Sequence, residues 1–378
     1  MGFGLARGDT EQPLTYTYSA TVDQQFNAVT LFELSYQGSQ TSHLLTQYEQ
    51  GAAGDLENIN ALPIGTLFNP DPLTGVVNSP QGYSQADTIN DFRPYPFYSQ
   101  VNVARHVLYA NYNALQASIS RTQGRLLYSF NYTWSKDLGV FGSYSSGNVI
   151  DSTNIRPNYG PLQNDRSQVV NATFSYDTGA FEHGSRLVRG ALSSYDVSGI
   201  INLQSGANAQ RVLGSNFGLQ GNISPAVGVT ETVYNHFGVN STSILGTPDI
   251  VLQPKLLCDP GSRLGKHQYI NAACLAIPDY GVNGPAEMPY IHAPGYFDFD
   301  ARVSKTFALR ERRNIQLQLS GFNIINRPNY SFSSKFPAEQ TLFYNGSAIA
   351  NATAPSQFGF AQYRFGRRVS EISIKYNF

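Results

Sequence analysis

No stretch of this 378-residue chain approaches the run of about eighteen apolar residues that a membrane-spanning helix needs. No transmembrane helix is therefore available in it. Met1 to Pro13 (MGFGLARGDTEQP) contains no apolar h-region, so it is not a signal peptide. The chain is then either cytosolic or a piece of a longer protein, and the features below favour the piece. Charge is scarce: Asp, Glu, Lys and Arg make up 13% of residues, about half the share usual in soluble domains. A net charge of −1 gives no argument for nucleic acid or for an anionic surface as partner. The catalytic patterns H-E-x-x-H, C-x-x-C, the P-loop and G-x-S-x-G are all absent. Six histidines (43, 106, 183, 236, 267, 292) are scattered at no ligand spacing, which points to structural or loop roles rather than metal. The expectation is a protein with no cofactor and no enzymatic activity.

What the chain does have is aromatics and alternation. Tyr (24) and Phe (23) are abundant against a single Trp, Gly reaches 34, and mean hydropathy is −0.27. A polar average with few charges and many tyrosines suits strands that face lipid on one side and water on the other. The terminal stretch Glu371–Phe378 is the organising one. Ile372, Ile374, Tyr376 and Phe378 share one strand face, and Glu371, Ser373, Lys375 and Asn377 share the other. A strand that ends the chain on an aromatic carboxyl-terminal residue is also a signal for barrel-assembly machinery. The same period of two predicts strands over Leu14–Val22, Val29–Gly38, Tyr112–Ser120, Leu126–Ser135, Gln168–Tyr176, Val197–Ser205, Phe297–Phe307 and Ile315–Ser320. The clearest is Leu126–Ser135, where Leu126, Tyr128, Phe130, Tyr132 and Trp134 face one way and the aromatics crowd one end, as at an interfacial girdle.

The predicted fold is all-β: an antiparallel transmembrane β-barrel, present here as a partial barrel of about nine strands. Its connections alternate short and long, as expected for tight periplasmic turns and long extracellular loops. The terminal strand is entered from a long loop and runs towards the periplasm; counting back, so does Leu14–Val22. An odd number of strands does not close a bacterial single-chain barrel, so the chain is expected to begin in the middle of one.

Few residues stand out as candidates for chemistry. Asp298, Asp300 and Arg302 fall on one strand face. They read better as charges lining a polar lumen than as a catalytic carboxylate pair. Cys258 and Cys274 are an even count confined to the longest loop, between Gly206 and Pro294. They fit a disulfide in an oxidising exterior, with two unpaired thiols as the alternative. Asn-x-Ser/Thr triplets such as Asn171-Ala-Thr173 are chance matches in so Asn- and Ser-rich a chain.

Six motifs occur in a particular order: Tyr112-Asn-Ala-Leu-Gln116, Tyr132-Thr-Trp-Ser-Lys136, Gln163-Asn-Asp-Arg166, Gln204-Ser-Gly206, Pro294-Gly-Tyr-Phe-Asp-Phe-Asp300 with Lys305, and Phe322-Asn-Ile-Ile-Asn-Arg-Pro-Asn-Tyr330. Together, over about Thr15 to Phe378, they resemble the carboxyl-terminal barrel of Oar-like TonB-dependent outer-membrane transporters. The specificity lies in the ordered set, not in any one motif. In that family a carboxypeptidase-regulatory-like domain precedes a plug and a barrel of about twenty-two strands. The resemblance implies that residues 1–378 are the carboxyl-terminal part of such a barrel. A signal peptide, regulatory-like domain, TonB box, plug and the earlier strands would lie outside this chain. It implies uptake of a bulky ligand, such as an oligosaccharide or a siderophore-like molecule. The implied partners are outer-membrane lipid, the barrel-assembly machinery and the amino-terminal plug and barrel half, with TonB reached only through that half. Two other classes stay open: an outer-membrane adhesin or surface scaffold binding protein or polysaccharide, and a soluble β-rich carbohydrate-binding protein.

Overall fold

The structure is a computed structural model. It describes residues 4–46, 56–75, 86–140, 151, 153–162, 164–181, 185–209, 241–276, 278–286, 291–309, 313–332, 344–345, 348–349 and 359–378. Nine long strands form one meander: β1 (Leu14–Asn27), β2 (Thr30–Leu45), β3 (His106–Arg121), β4 (Leu126–Val140), β5 (Gln168–Asp177), β6 (Tyr195–Gln204), β7 (Tyr296–Ala308), β8 (Asn314–Phe322) and β9 (Val369–Asn377). Each pairs antiparallel with its sequence neighbours. A short tenth strand, Tyr159–Pro161, adds to the upper end of β4. β1 and β9 are the two edges and do not pair with each other, so the sheet is not closed.

The register aligns the alternation of every strand. One row across the sheet reads Val22, Leu34, Ala117, Tyr132, Val170, Leu203 and Phe297. Near the other end, Ile315 lies between Phe307 and Tyr376. A one-residue slip anywhere would move a whole strand's apolar set to the polar face, so a buried or lipid-covered face specifies the register strongly. Two glycines on the apolar face serve close approach. Gly38 lies under the Tyr18 ring, and Gly199 under Phe174, where a Cβ would come within 2.7 Å of the ring. The aromatic of one strand covers backbone that the glycine of the next leaves bare.

Three strands run well past the predicted alternation at one end. β2 continues to Leu45, β3 starts at His106 and β4 reaches Val140, all at the long-loop end. There the apolar face gives way to Gln40, Asn111, Asn113 and Lys136, which still pair in register. The periodicity disappears because these segments have no apolar surround to face; the ladder continues because backbone hydrogen bonds do not need one. Tyr18 and Tyr36 both donate their hydroxyls to Asn113 Oδ1, at 2.8 Å each, and mark the level of the change. At the opposite end β1 runs to Asn27 instead of giving way to a connection at Asp23. This leaves a tight turn at Ala28–Val29, with a bulge between Gln25 and Asn27.

The long connections are not slack. Among the described residues, the strands contribute only Leu108, Ala114 and Val140 to the buried apolar set, and the rest comes from the loops. One cluster unites Leu245, Leu252, Ile270, Leu275 and Ile291 of the 205–295 connection with Phe332 and Ala361 of the 323–368 connection. A smaller cluster of Leu62 and Leu67 takes in Ile89 and Phe92. The protein is thus inverted: its dry core is in the loops, and the apolar residues of its sheet face outward.

Candidate functional site

The polar face of the sheet carries hydroxyls and amides in cross-strand contact. Thr15 meets Thr41 at 3.1 Å, Thr21 meets Ser35 at 3.0 Å, and Asn377 donates to Asn314 at 2.6 Å. Asp298, Asp300 and Arg302 lie on this face, opposite Asn202, Ile200 and Ser198 of β6. They do not act as a group. Arg302 Nη2 reaches Asp196 Oδ1 at 3.2 Å across to β6, and Ser175 Oγ of β5 donates to the other Asp196 oxygen at 3.0 Å. Asp300 Oδ1 accepts the backbone N–H of Asn323 at 2.8 Å and so fixes the start of the last long loop. Asp298 lies on the same face as Tyr296, two residues along the strand. The carboxylates therefore differ in their surroundings: one is held at a loop root and one lies beside a phenol, while the arginine pairs with a third acid. Asp196 precedes the first strand residue that alternation identifies, which is why its pairing with Arg302 was not legible.

The terminal strand places Ile372, Ile374 and Tyr376 opposite Leu319, Leu317 and Ile315 of β8. All three are at least half exposed on the apolar face, and Phe378 stacks on Tyr376 with centroids 6.0 Å apart.

Cys258 and Cys274 are joined in a disulfide. It closes a loop above a two-strand ladder, Lys255–Leu256 against Leu275–Ala276. Asn271 caps the turn before Cys274 by accepting the Ala273 N–H at 3.1 Å.

The loop mass has a second staple that no pattern in the chain announces. Arg93 and Asp249, 156 residues apart, form a bidentate pair at 2.8 and 3.1 Å. Their side chains are only 4% and 2% exposed. Asp249 also accepts the Leu62 N–H at 2.8 Å, and Arg93 donates to the Asn60 carbonyl at 2.5 Å. Every lone pair the carboxylate turns inward is used, which is the condition for a buried pair to be tolerated. Asn60 in turn donates to the Tyr95 and Tyr98 carbonyls at 3.1 and 2.8 Å. The segment Pro94–Tyr98 is thereby held rigidly while Phe97, at 95% exposure, projects into solvent. Lower down, Asp9 accepts the His106 backbone N–H at 2.7 Å, a bond that holds its carboxyl below the usual carboxylate range. Among the described residues no group of His, Cys, Asp and Glu has the geometry of a metal centre. The charged turn Arg310–Arg313 lies outside the described residues except for Arg313.

The connection between β5 and β6 is the least like a turn. It contains α1 (Arg186–Leu192), capped by Ser185, whose hydroxyl accepts the Val188 N–H. Lys305 rises from the apolar register of β7 to meet it. Its Nζ donates to the carbonyls of Gly190, Ala191 and Ser193 at 2.8, 2.6 and 3.3 Å and lies 4.1 Å from the Tyr195 ring centroid. A cation in an apolar row is thus neutralised by the carbonyl end of a helix.

A sequence model for the outer membrane beta barrel domain matches residues 3–367. No curated protein matches the sequence. Among solved structures, the chain is similar to the outer membrane transporter YddB from Escherichia coli, at 8% identity and a TM-score of 0.41. That similarity covers 99% of this chain and 34% of the other, so the chain spans about a third of that structure's length.

Proposed function

The chain belongs to the outer membrane beta barrel domain family, and from that premise we propose that it forms part of the barrel wall of a TonB-dependent receptor that imports a bulky ligand. Its place is the outer membrane, with the apolar face against lipid and the polar face inward. Short turns then lie on the periplasmic side and the folded loops outside the cell. The soluble alternative falls with that location. The observation that carries the proposal is the two-faced sheet beneath a loop mass with its own core. A lumen lined by Asp196, Arg302 and hydroxyls is a hydrophilic route, and a packed extracellular layer is a preformed surface for first contact with ligand. The ordered motif set supports the TonB-dependent, Oar-like assignment. The partners proposed are further barrel strands, a plug in the lumen, TonB through that plug, and the barrel-assembly machinery at β9. No reaction is proposed; the side chains bind and guide.

The adhesin or scaffold reading is favoured by one feature, the rigid and exposed Pro94–Tyr98 segment. The two readings separate by energy dependence. Cells producing the protein are given a fluorescent mixture of oligosaccharides and siderophores, with and without a protonophore. An importer accumulates label only in energised cells. Label that binds equally in both and stays at the surface overturns import in favour of adhesion.

A further inference from the structure

A cleft of about 490 Å³ opens at the extracellular rim of β5, β6 and β7. Its floor includes Val170, Leu203 and Phe297, which occupy one outward row of the sheet. The floor is thus continuous with the lipid-facing surface, while Gln204 and Tyr296 of the polar row line the inner side of the cleft. Loop residues make the wall; Arg327 is one of them, and Arg364 adjoins it at the ring of the wall residue Tyr330. The Arg327 guanidinium lies 5.0 Å from the Phe297 ring, and that of Arg364 lies 5.7 Å from the ring of Tyr330, which also lines the cleft. Tyr330 is backed by His267, whose ring centroid is 4.1 Å away. Both arginines are exposed. Among the described residues neither guanidinium has a carboxylate partner, although the sheet below pairs its own arginine, Arg302, with Asp196.

A guanidinium stacked on a ring has its orientation set by the ring and keeps its N–H edge free for a planar or tetrahedral anion. The depth decides which anion. An apolar floor at the top of the lipid-facing band, with cations immediately above it, matches an acyl chain below and a charged headgroup above. We propose that this cleft binds a phosphorylated lipid of the outer leaflet, with its phosphate at Arg327 and Arg364 and its acyl chain along Val170, Leu203 and Phe297. The site would anchor the loop mass to the membrane surface, and it is independent of whether the lumen transports anything.

The test uses residues 1–378 together with the strands that close the barrel, extracted from outer membranes into detergent, and a fluorescent bis-phosphorylated glucosamine disaccharide lipid as probe. The dephosphorylated lipid and inorganic phosphate serve as comparison and competitor. Binding of the phosphorylated lipid is expected to weaken by about fivefold for each of R327Q and R364Q and to be unchanged by R263Q, a surface arginine elsewhere in the loops. The dephosphorylated lipid should bind more weakly than the phosphorylated one, and millimolar inorganic phosphate should not displace the probe. Equal binding of the two lipids, or wild-type binding by the double variant, overturns the site. Displacement by inorganic phosphate alone overturns the lipid assignment. If the double variant loses heat-modifiable mobility and is misfolded, the two-lipid comparison on the wild-type protein decides by itself.

Discussion

Single side chains in this protein answer to two different surroundings. Phe130 and Asn131 are neighbours in β4 and both are exposed, yet one faces lipid and the other the lumen. Phe130→Arg should destabilise the assembled barrel by about 2–4 kcal/mol if the residue lies near the bilayer midplane, whereas Asn131→Arg should cost far less. Urea titration of the folded fraction by gel mobility gives the comparison, and equal losses would remove the case for a lipid face. In the loops the rule is that of a soluble core. Asp249→Ala would leave the Arg93 charge buried with no counter-ion, and breaking such a pair costs about 3–5 kcal/mol. The loop layer should then become sensitive to added protease while the strands keep their protection. Unchanged cleavage kinetics would mean that the staple is dispensable.

Two elements owe their positions to single links. The helix α1 is too short to persist on local propensity, so its docking depends on Lys305. Lys305→Met removes three charge-assisted hydrogen bonds, worth about 1.5–3 kcal/mol each at most. It also places an apolar group in an apolar row. The helix should therefore loosen while the barrel does not suffer. Hydrogen exchange over residues 186–192 should rise with heat-modifiability intact, and unaltered exchange would show that α1 is held by something else. The 258–274 disulfide is the second link. In the chain-entropy account a closed loop of this size stabilises its surroundings by about 3 kcal/mol. Cys258→Ser should open that loop to protease and leave the sheet intact, because the ladder of β1 to β9 makes no use of the bond. A fall in barrel assembly would contradict this division.

At the scale of the whole molecule the unpaired edges dominate. β1 and β9 each present a row of backbone N–H and C=O groups, and hydrocarbon offers them no partner. With several kcal/mol for each unsatisfied group, the total is on the order of tens of kcal/mol, beyond the stability of a typical domain. Residues 1–378 exported alone should therefore be degraded or aggregate, and strands supplied in trans to complete the barrel should rescue them. A stable, heat-modifiable monomer of these residues would show that β1 and β9 close on each other.

The nine strands, their order and the division of the sheet into an apolar and a polar face were legible in the sequence. A strand between lipid and water must alternate with period two, and that constraint is written residue by residue, as in Leu126 to Trp134. The same constraint explains where reading stopped. Beyond Gly38 and Ser135, and before Tyr112, the strands leave the apolar layer, alternation is no longer required, and only backbone pairing shows that they continue. The loops carried no readable period at all, because their core is assembled from residues far apart in the chain. The pairing of Arg93 with Asp249 depends on two loops meeting, and Lys305 could be understood only once α1 lay against it. Asp298, Asp300 and Arg302 shared a face as their spacing required. Which of them lay beside a phenol, which capped a loop and which found Asp196 was decided by the neighbouring residues, since a partner's position is a property of the fold and not of the spacing.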